Sequence, residues 1–313
     1  MKATQQNPES RKPAPSGWLA IDKPAGMSSF GVVSAVRRIT GAAKAGHGGT
    51  LDPFAEGLLP VALGEATKTL AMVLAGDKKY RCWIRFGAET DTGDLQGQVV
   101  ARDDRWPDPL ALTEALRHFV GAIEQIPPAY SALHVDGERA YARARRGEAV
   151  VMAPRPVHIH HLELENYAEG VAILAVHCGK GTYMRSLARD LARHVGCLGH
   201  LERLLRTWTL GFTMQEAVTL DQLAEKVAEG GLPKILLPVD RVLDDIPVLR
   251  LRADAWHRIR NGQAVRVPAA TSPIGTVRLL TPAGQFGAIG VVETMADAAE
   301  ECLCRPQRLF LTS

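Results

Sequence analysis

The chain has 313 residues, more than one small core usually fills, so a large domain with a smaller companion is expected. At 46% hydrophobic and 23% charged residues the composition is that of an ordinary globular chain, which excludes wholesale disorder. No apolar run approaches the roughly 18 residues of a membrane-spanning helix, and a net charge of +3 decides little until its distribution is known.

Taken in chain order, residues 1–16 form a polar, Pro-containing tail without the apolar centre of a secretory leader. GWLAIDKPAGM at 17–27 reads as a short strand running into a Pro-Ala-Gly turn. Ser28 and Ser29 then cap a helix carrying Phe30, Val33, Val36 and Ile39 at helical spacing. A Gly-rich loop, GHGGTLDPFAEG, follows from Gly46 to Gly57. Residues 80–86 alternate as a strand does, and parts of 157–164 and 171–178 predict two antiparallel neighbours joined through Asn166 to Gly170.

Over 184–195 a helix is predicted. Met184, Leu187, Leu191 and Val195 share a packing arc, while Arg185, Arg189 and Arg193 lie off it and present guanidinium groups. Thr219 with Gln222 forms a capping box for a helix turning Leu220, Leu223 and Val227 inward. Pro238 and Pro247 bracket a linker. Short β-like runs at 264–267, 276–280 and 288–292 then suggest an all-β module of about 65 residues. The cysteines (Cys82, Cys178, Cys197, Cys302, Cys304) include no CxxC pair, which favours a reducing cytoplasm over a disulfide scaffold or zinc ribbon.

The basic residues concentrate in two stretches. Lys180, Arg185, Arg189, Arg193, Arg203 and Arg206 face only Asp190 and Glu202, and a second Arg cluster runs from Arg250 to Arg278 against Asp254. Two such patches suggest one polyanion touching both halves. The Gly-rich loop is not a P-loop, since GxxxxGK[ST] is absent. Its Asp52, stiffened by Pro53, has three uses open to it: a turn cap, a metal ligand, or a nucleophile ionised at neutral pH. His158, His160 and His161 have zinc-like character, but no Cys lies close in sequence, so solvent-facing histidines are expected and no metal. Tyr80 (beside Lys78, Lys79 and Arg81) and Tyr183 (beside Lys180 and Arg185) pair aromatic rings with cations, as nucleobase stacking does.

At this point the residues form a recognisable series. GHGGTLDPFAEGLLPVALGEATK at 46–68 closely resembles the catalytic motif of the bacterial tRNA pseudouridine synthase B family. The resemblance continues in order through IDKPAG at 21–26, DKKYR at 77–81, TDTGDLQG at 90–97, IPPAYSALHVDGERAYARARRG at 126–147, GKGTYMRSLARDL at 179–191 and LLP at 236–238. It covers residues 17 to about 246 and implies an α+β fold: a catalytic domain over 17–246 with a mixed, largely antiparallel sheet flanked by helices. A small PUA-like β-barrel over 247–313, touching the acceptor stem of tRNA, completes it.

The implied reaction converts uridine 55 of the tRNA T-loop to pseudouridine, with neither metal nor organic cofactor. The resemblance makes Asp52 the catalytic aspartate, has Tyr80 stack on the base and handle the C5 proton, and lets Arg185 hold Asp52. It places His47 on the flipped RNA, uses Tyr183 and Leu204 to complete the pocket, and sets Lys23 behind the loop as support. Lys180, Arg189 and Arg193 are then expected on the RNA backbone. The expected protein is a cytoplasmic monomer working on tRNA without guide RNA or membrane. Departures from the family pattern are Gly48 for Thr, Thr50 for Ala, Glu56 for Thr and His134 for Lys; Glu56 would lie one turn from Asp52 if that segment were helical. The competing readings are a glycoside or nucleoside hydrolase using Asp52 and Glu56, a non-catalytic tRNA-folding factor, and a guide-RNA-dependent relative.

Overall fold

The computed structural model describes residues 14–310 apart from 132, 136, 296 and 297. Positions 1–13 of the tail, Asp297 and the His134 side chain lie outside the described residues. The chain opens with β1 (Gly17–Lys23), which pairs antiparallel with β3 (Glu56–Leu63), and β2 (Ala45–His47) pairs on the other side of β3. Between them, α1 (Ser29–Thr40) starts at Ser28, whose side chain accepts from Gly31 N, and stops at Gly41 in the left-handed region. Its buried face is Ser29, Val32, Val33 and Val36, a set spaced i, i+3, i+4, i+7. Phe30, expected inward, is 76% exposed. The inward place falls to Ser29, because its hydroxyl is bonded to the loop that carries Asp52.

After α2 (Leu70–Ala75) comes β4 (Lys78–Phe86), then the small pair β5 (Ala88–Thr90) and β6 (Val99–Arg102). α3 (Pro109–Leu116), β7 (Gly121–Gln125), the hairpin β8 (His134–Val135) and β9 (Glu138–Arg139), and α4 (Ala140–Arg145) lead to β10 (Arg155–Ala168) and β11 (Val171–Cys178). The last two are antiparallel as expected, but β10 runs on to Ala168. The connection is therefore only Glu169 and Gly170, both at positive φ (52° and 71°), as a tight hairpin turn requires.

α5 (Met184–His194) packs beside β12 (Gly199–Thr209), which ends in β13 (Phe212–Thr213). The large sheet has the order β1-β3-β12-β4-β11-β10-β7, with the β3–β12 pair parallel and the other neighbours antiparallel. α6 (Leu220–Ala228) has the predicted capping box and buries Leu223 fully; α7 (Leu232–Ile235) follows.

The C-terminal sheet is a curled half-barrel of β14 (Val248–Arg250), β15 (Val265–Pro268), β16 (Gly275–Leu280), β17 (Phe286–Met295) and β18 (Ala298–Leu309), in the order β14-β16-β17-β18-β15. Three of these strands were legible as β-like runs; β14, β18 and α8 (Ala253–Arg260) were not. The segment between Pro238 and Pro247 is no free linker. Val239, Val242 and Leu243 share one core with Trp18 of the large sheet and Phe286, Ile289 and Phe310 of the small one. Lys68 Nζ adds a hydrogen bond to Leu309 O at 2.7 Å across the same junction.

Candidate active site

Asp52 sits in the loop between β2 and β3, which three side chains hold from beneath. Ser29 Oγ accepts from Leu51 N at 2.8 Å and donates to Leu51 O at 2.9 Å. Lys23 Nζ donates to Pro24 O, Pro53 O and Ala55 O at 2.9, 3.1 and 2.6 Å. Arg206 donates from Nε to Leu58 O at 2.7 Å and from Nη2 to Gly49 O at 3.1 Å. Lys23 and Arg206 are 0% and 1% exposed, so their charges are spent on carbonyls of the loop, of Pro24 after β1 and of Leu58 in β3. Glycine is required at Gly57, which has φ +93° and would put a Cβ 2.5 Å from Arg206 O.

Above the loop, the Arg185 guanidinium is 5% exposed and gathers several acceptors. Nη2 donates to Asp52 Oδ1 at 3.2 Å and to Tyr130 O at 2.9 Å; Nη1 donates to Thr92 O at 3.0 Å and lies 3.7 Å from Asp94 Oδ2. Nε comes within 2.9 Å of Asp52 Oδ2, but its N–H points off that oxygen, so this contact is an ion pair without a hydrogen bond. Burial pushes the Asp52 carboxyl above the ordinary carboxylate range; Arg185 opposes this, Asp94 adds to it, and Lys23 weakly opposes. The Arg185–Asp52 pairing is as expected. Arg185 is nevertheless not one of an exposed arginine row, since it faces inward from the first turn of α5.

Tyr80 is half-buried on the inner face of β4 and packs on the cluster that includes Leu51, Met184 and Leu204. Burial pushes its hydroxyl up to about 12 despite the opposing Arg206 guanidinium, so it stays a phenol. Tyr183 precedes α5, and the Gln125 side chain holds its backbone on both sides: Tyr183 N donates to Oε1 at 2.7 Å and Gln125 Nε2 donates to Tyr183 O at 3.1 Å. Burial also raises the Tyr183 hydroxyl, with Asp52 among the charges acting on it. His47 ends β2; burial and then Arg206 lower its pKa, and its buried Nδ1 has no hydrogen-bond partner among the described residues. Asp52, Arg185, Tyr80, Tyr183 and Leu204 thus border one region bounded by the loop, β4, β12 and the start of α5, and His47 is tied to it through Arg206.

Several expectations are corrected. Lys78, Lys79 and Arg81 do not surround Tyr80. Lys78 turns inward, where its Nζ donates to Val73 O, Leu74 O and Gly76 O at the end of α2. Lys79 and Arg81 lie on the outer face of β4, over Trp208 and Trp83; neighbours along a strand point to opposite faces. Of the first basic patch, Arg185 and Arg206 are buried, and Arg189, Arg193 and Arg203 pair with Asp190, Glu89 and Glu56. Lys180 is exposed. In the second patch Arg278 is turned in to Ile246 O, Asp240 and Asp244. Glu56 begins a strand rather than continuing a helix, and its carboxylate is held by Arg203 at 3.0 Å. The second acid at Arg185 is Asp94, which the sequence reading did not single out; its signal was the TDTGD segment. Arg206 was counted only as surface charge. It is the hub under the loop.

A mixed sheet flanked by helices, with a curled C-terminal sheet beside it, is the fold of a pseudouridine synthase. A chain in "Crystal Structure of a Cbf5-Nop10-Gar1 Complex" shares it at TM-score 0.71 and 23% identity, over 94% of this chain and 85% of that one. One from "Structure of H/ACA RNP bound to a substrate RNA containing 2'-deoxyuridine" also gives TM-score 0.71, at 21% identity over 95% and 85%. The chain belongs to the tRNA pseudouridine synthase B family. Residues 37–184 match the TruB family pseudouridylate synthase (N terminal domain), 185–244 the tRNA pseudouridylate synthase B C-terminal domain, and 247–310 the Pseudouridine synthase II TruB, C-terminal, family. A tRNA pseudouridine synthase B from Nitrobacter winogradskyi is 48% identical over 87% of this chain and 78% of its own. One from Chelativorans sp. (strain BNC1) is 42% identical over 95% and 96%.

Proposed function

We propose that this chain isomerises uridine 55 in the T-loop of tRNA to pseudouridine. The observation that carries the reading is the buried Arg185 guanidinium gripping Asp52 within a loop fixed from below. The names of the relatives support tRNA as the substrate. The target base is stacked in folded RNA and must be flipped out, at a cost of a few kcal/mol; Tyr80, Tyr183 and Leu204 offer it a new surface. Asp52, ionised and aimed by Arg185, attacks, and the N1 glycosidic bond breaks. The uracil turns in the pocket and rejoins through C5; the Asp52 carboxylate is released, and the C5 proton passes through the Tyr80 hydroxyl, which hands its own proton on towards N1, so that no group is gained or lost. The apolar side of the pocket, Leu51, Met184 and Leu204, keeps water from the intermediate.

In this reading 17–246 is the catalytic unit and 247–313 the unit that touches the acceptor stem, and the protein works as a monomer without guide RNA or cofactor. His47 contacts the flipped RNA, Lys23 supports the loop, and Lys180, Arg189 and Arg193 follow the RNA backbone. For Arg189 and Arg193 that means sharing a guanidinium with Asp190 and Glu89. Against the hydrolase reading, the Glu56 carboxylate is paired with Arg203 at 3.0 Å. Carbodiimide-based pseudouridine mapping of tRNA treated with wild-type or Asp52→Asn protein tests the proposal. Modification at position 55 by the wild type alone is expected, with no uracil released; turnover by Asp52→Asn would refute it.

A further inference from the structure

Three side chains that the active site leaves aside meet where β10 and β11 run beside the start of β4. His160 Nε2 lies 3.2 Å from Asp77 Oδ2, and His177 Nε2 lies 3.8 Å from the same oxygen. All three ligand atoms fall within 4.8 Å of one another. We propose that Asp77, His160 and His177 form a binding site for a divalent transition cation of the zinc class, held by two imidazoles and one carboxylate.

The spacing suits such an ion. Ligands at 2.0–2.2 Å from a tetrahedral centre lie about 3.3 Å apart; the 3.2 and 3.8 Å separations to Asp77 bracket that value, and the two imidazole nitrogens lie within 4.8 Å. The donor set suits it too, since imidazole nitrogen with one carboxylate oxygen favours zinc and its neighbours over calcium or magnesium. His177 Nε2 is buried and makes no hydrogen bond among the described residues. An ordinary His–Asp ion pair accounts for His160 and Asp77 but leaves that nitrogen without a partner, which buried polar atoms seldom tolerate.

The backbone places these groups deliberately. The β10 register jumps between Ile159 and His161, a bulge that turns His160 and His161 both outward while Ile159 and Leu162 stay buried. The His160 and His177 rings come within 4.8 Å at 45°, and the edge contact with Trp208 at 6.1 Å fixes the second ring. The neighbouring cation, Lys79, is drawn over Trp208 at 5.5 Å. Asp77 O accepts from Leu210 N and Thr209 Oγ1, both at 3.4 Å, so the acid that is distant in sequence is anchored against β12. Three protein ligands leave a fourth position for water.

The test titrates the full chain with Zn2+ by calorimetry and with Co2+ as a coloured probe, in wild type, His160→Gln, Asp77→Asn and the control His161→Gln. The expected result is one ion per chain, absorption bands of low-coordinate Co2+, and binding weakened about tenfold or more in His160→Gln and Asp77→Asn but retained in His161→Gln. Zn2+ should also raise the unfolding temperature of the wild type and not that of Asp77→Asn. Absence of saturable binding by the wild type, or equal binding by His160→Gln and Asp77→Asn, overturns the proposal.

Discussion

Ser29 and Leu51 are joined twice, the hydroxyl of the first accepting from the amide of the second and donating to its carbonyl. One side chain in the first turn of α1 thereby fixes the residue that precedes Asp52. Ser29→Ala would leave a buried N–H and a buried C=O unpaired, a loss of about 1–3 kcal/mol. Because the freed loop also loses its aim at Arg185, kcat should fall while tRNA affinity changes little. Urea unfolding and single-turnover kinetics measure the two effects, and unchanged turnover would show that Leu51 is held well enough by the rest of the loop.

Asp52 and Asp94 both face the Arg185 guanidinium, and Asp94 is one of the causes holding the Asp52 carboxyl above its ordinary range. The acid limb of kcat/KM should therefore lie above the ordinary aspartate value of about 3.9. Asp94→Asn removes a negative charge and leaves Arg185 to Asp52. Both changes favour the ionised form, so the limb should move to lower pH. A pH–rate profile of the variant decides it; a limb that stays or moves up contradicts this account of the shift.

Much of this arrangement was legible in the chain because local pattern and packing agree there. β1, β4, the β10–β11 pair, α5 and the capped α6 each follow from apolar spacing and end signals. The misreadings share one cause: periodicity gives the face of an element but not what lies against that face. Arg185 and Arg206 read as surface charge because the carbonyls of Thr92, Tyr130, Gly49 and Leu58 come from segments distant in sequence. Phe30 read as core because nothing local says that a serine would take the inward position for a loop hydrogen bond. Val239, Val242 and Leu243 read as linker because their burial depends on two sheets meeting.

Gly48 lies hard against Val73. A Cβ at Gly48 would lie 2.6 Å from Val73 Cγ1, and Val73 is fully buried, so a residue larger than glycine has no room here. Gly48→Thr should destabilise by about 1–3 kcal/mol through overpacking. Val73→Ala opens the space, so the double variant should be more stable than the sum of the two single losses. A double-mutant cycle by chemical unfolding reads the coupling, and strict additivity would mean that the two sites do not share this volume.

Lys23 links the loop to alkaline stability. In the unfolded chain its ammonium holds the proton up to about 10.4, whereas in the fold burial lowers its pKa to about 8, against the pull of Asp52 and Glu56. Between those values the unfolded state binds more protons, so this group's contribution to stability rises with pH across that window. Lys23→Met deletes the donor to Pro24 O, Pro53 O and Ala55 O and should be less stable than wild type at neutral pH. It also lacks the titration. The wild-type advantage should therefore widen from about pH 8 to pH 10, with Lys78, whose pKa is also about 8, cancelling because both proteins carry it. Denaturant unfolding of the two proteins at a series of pH values measures the difference. An advantage that stays flat or narrows over this window would place the Lys23 proton equilibrium outside it.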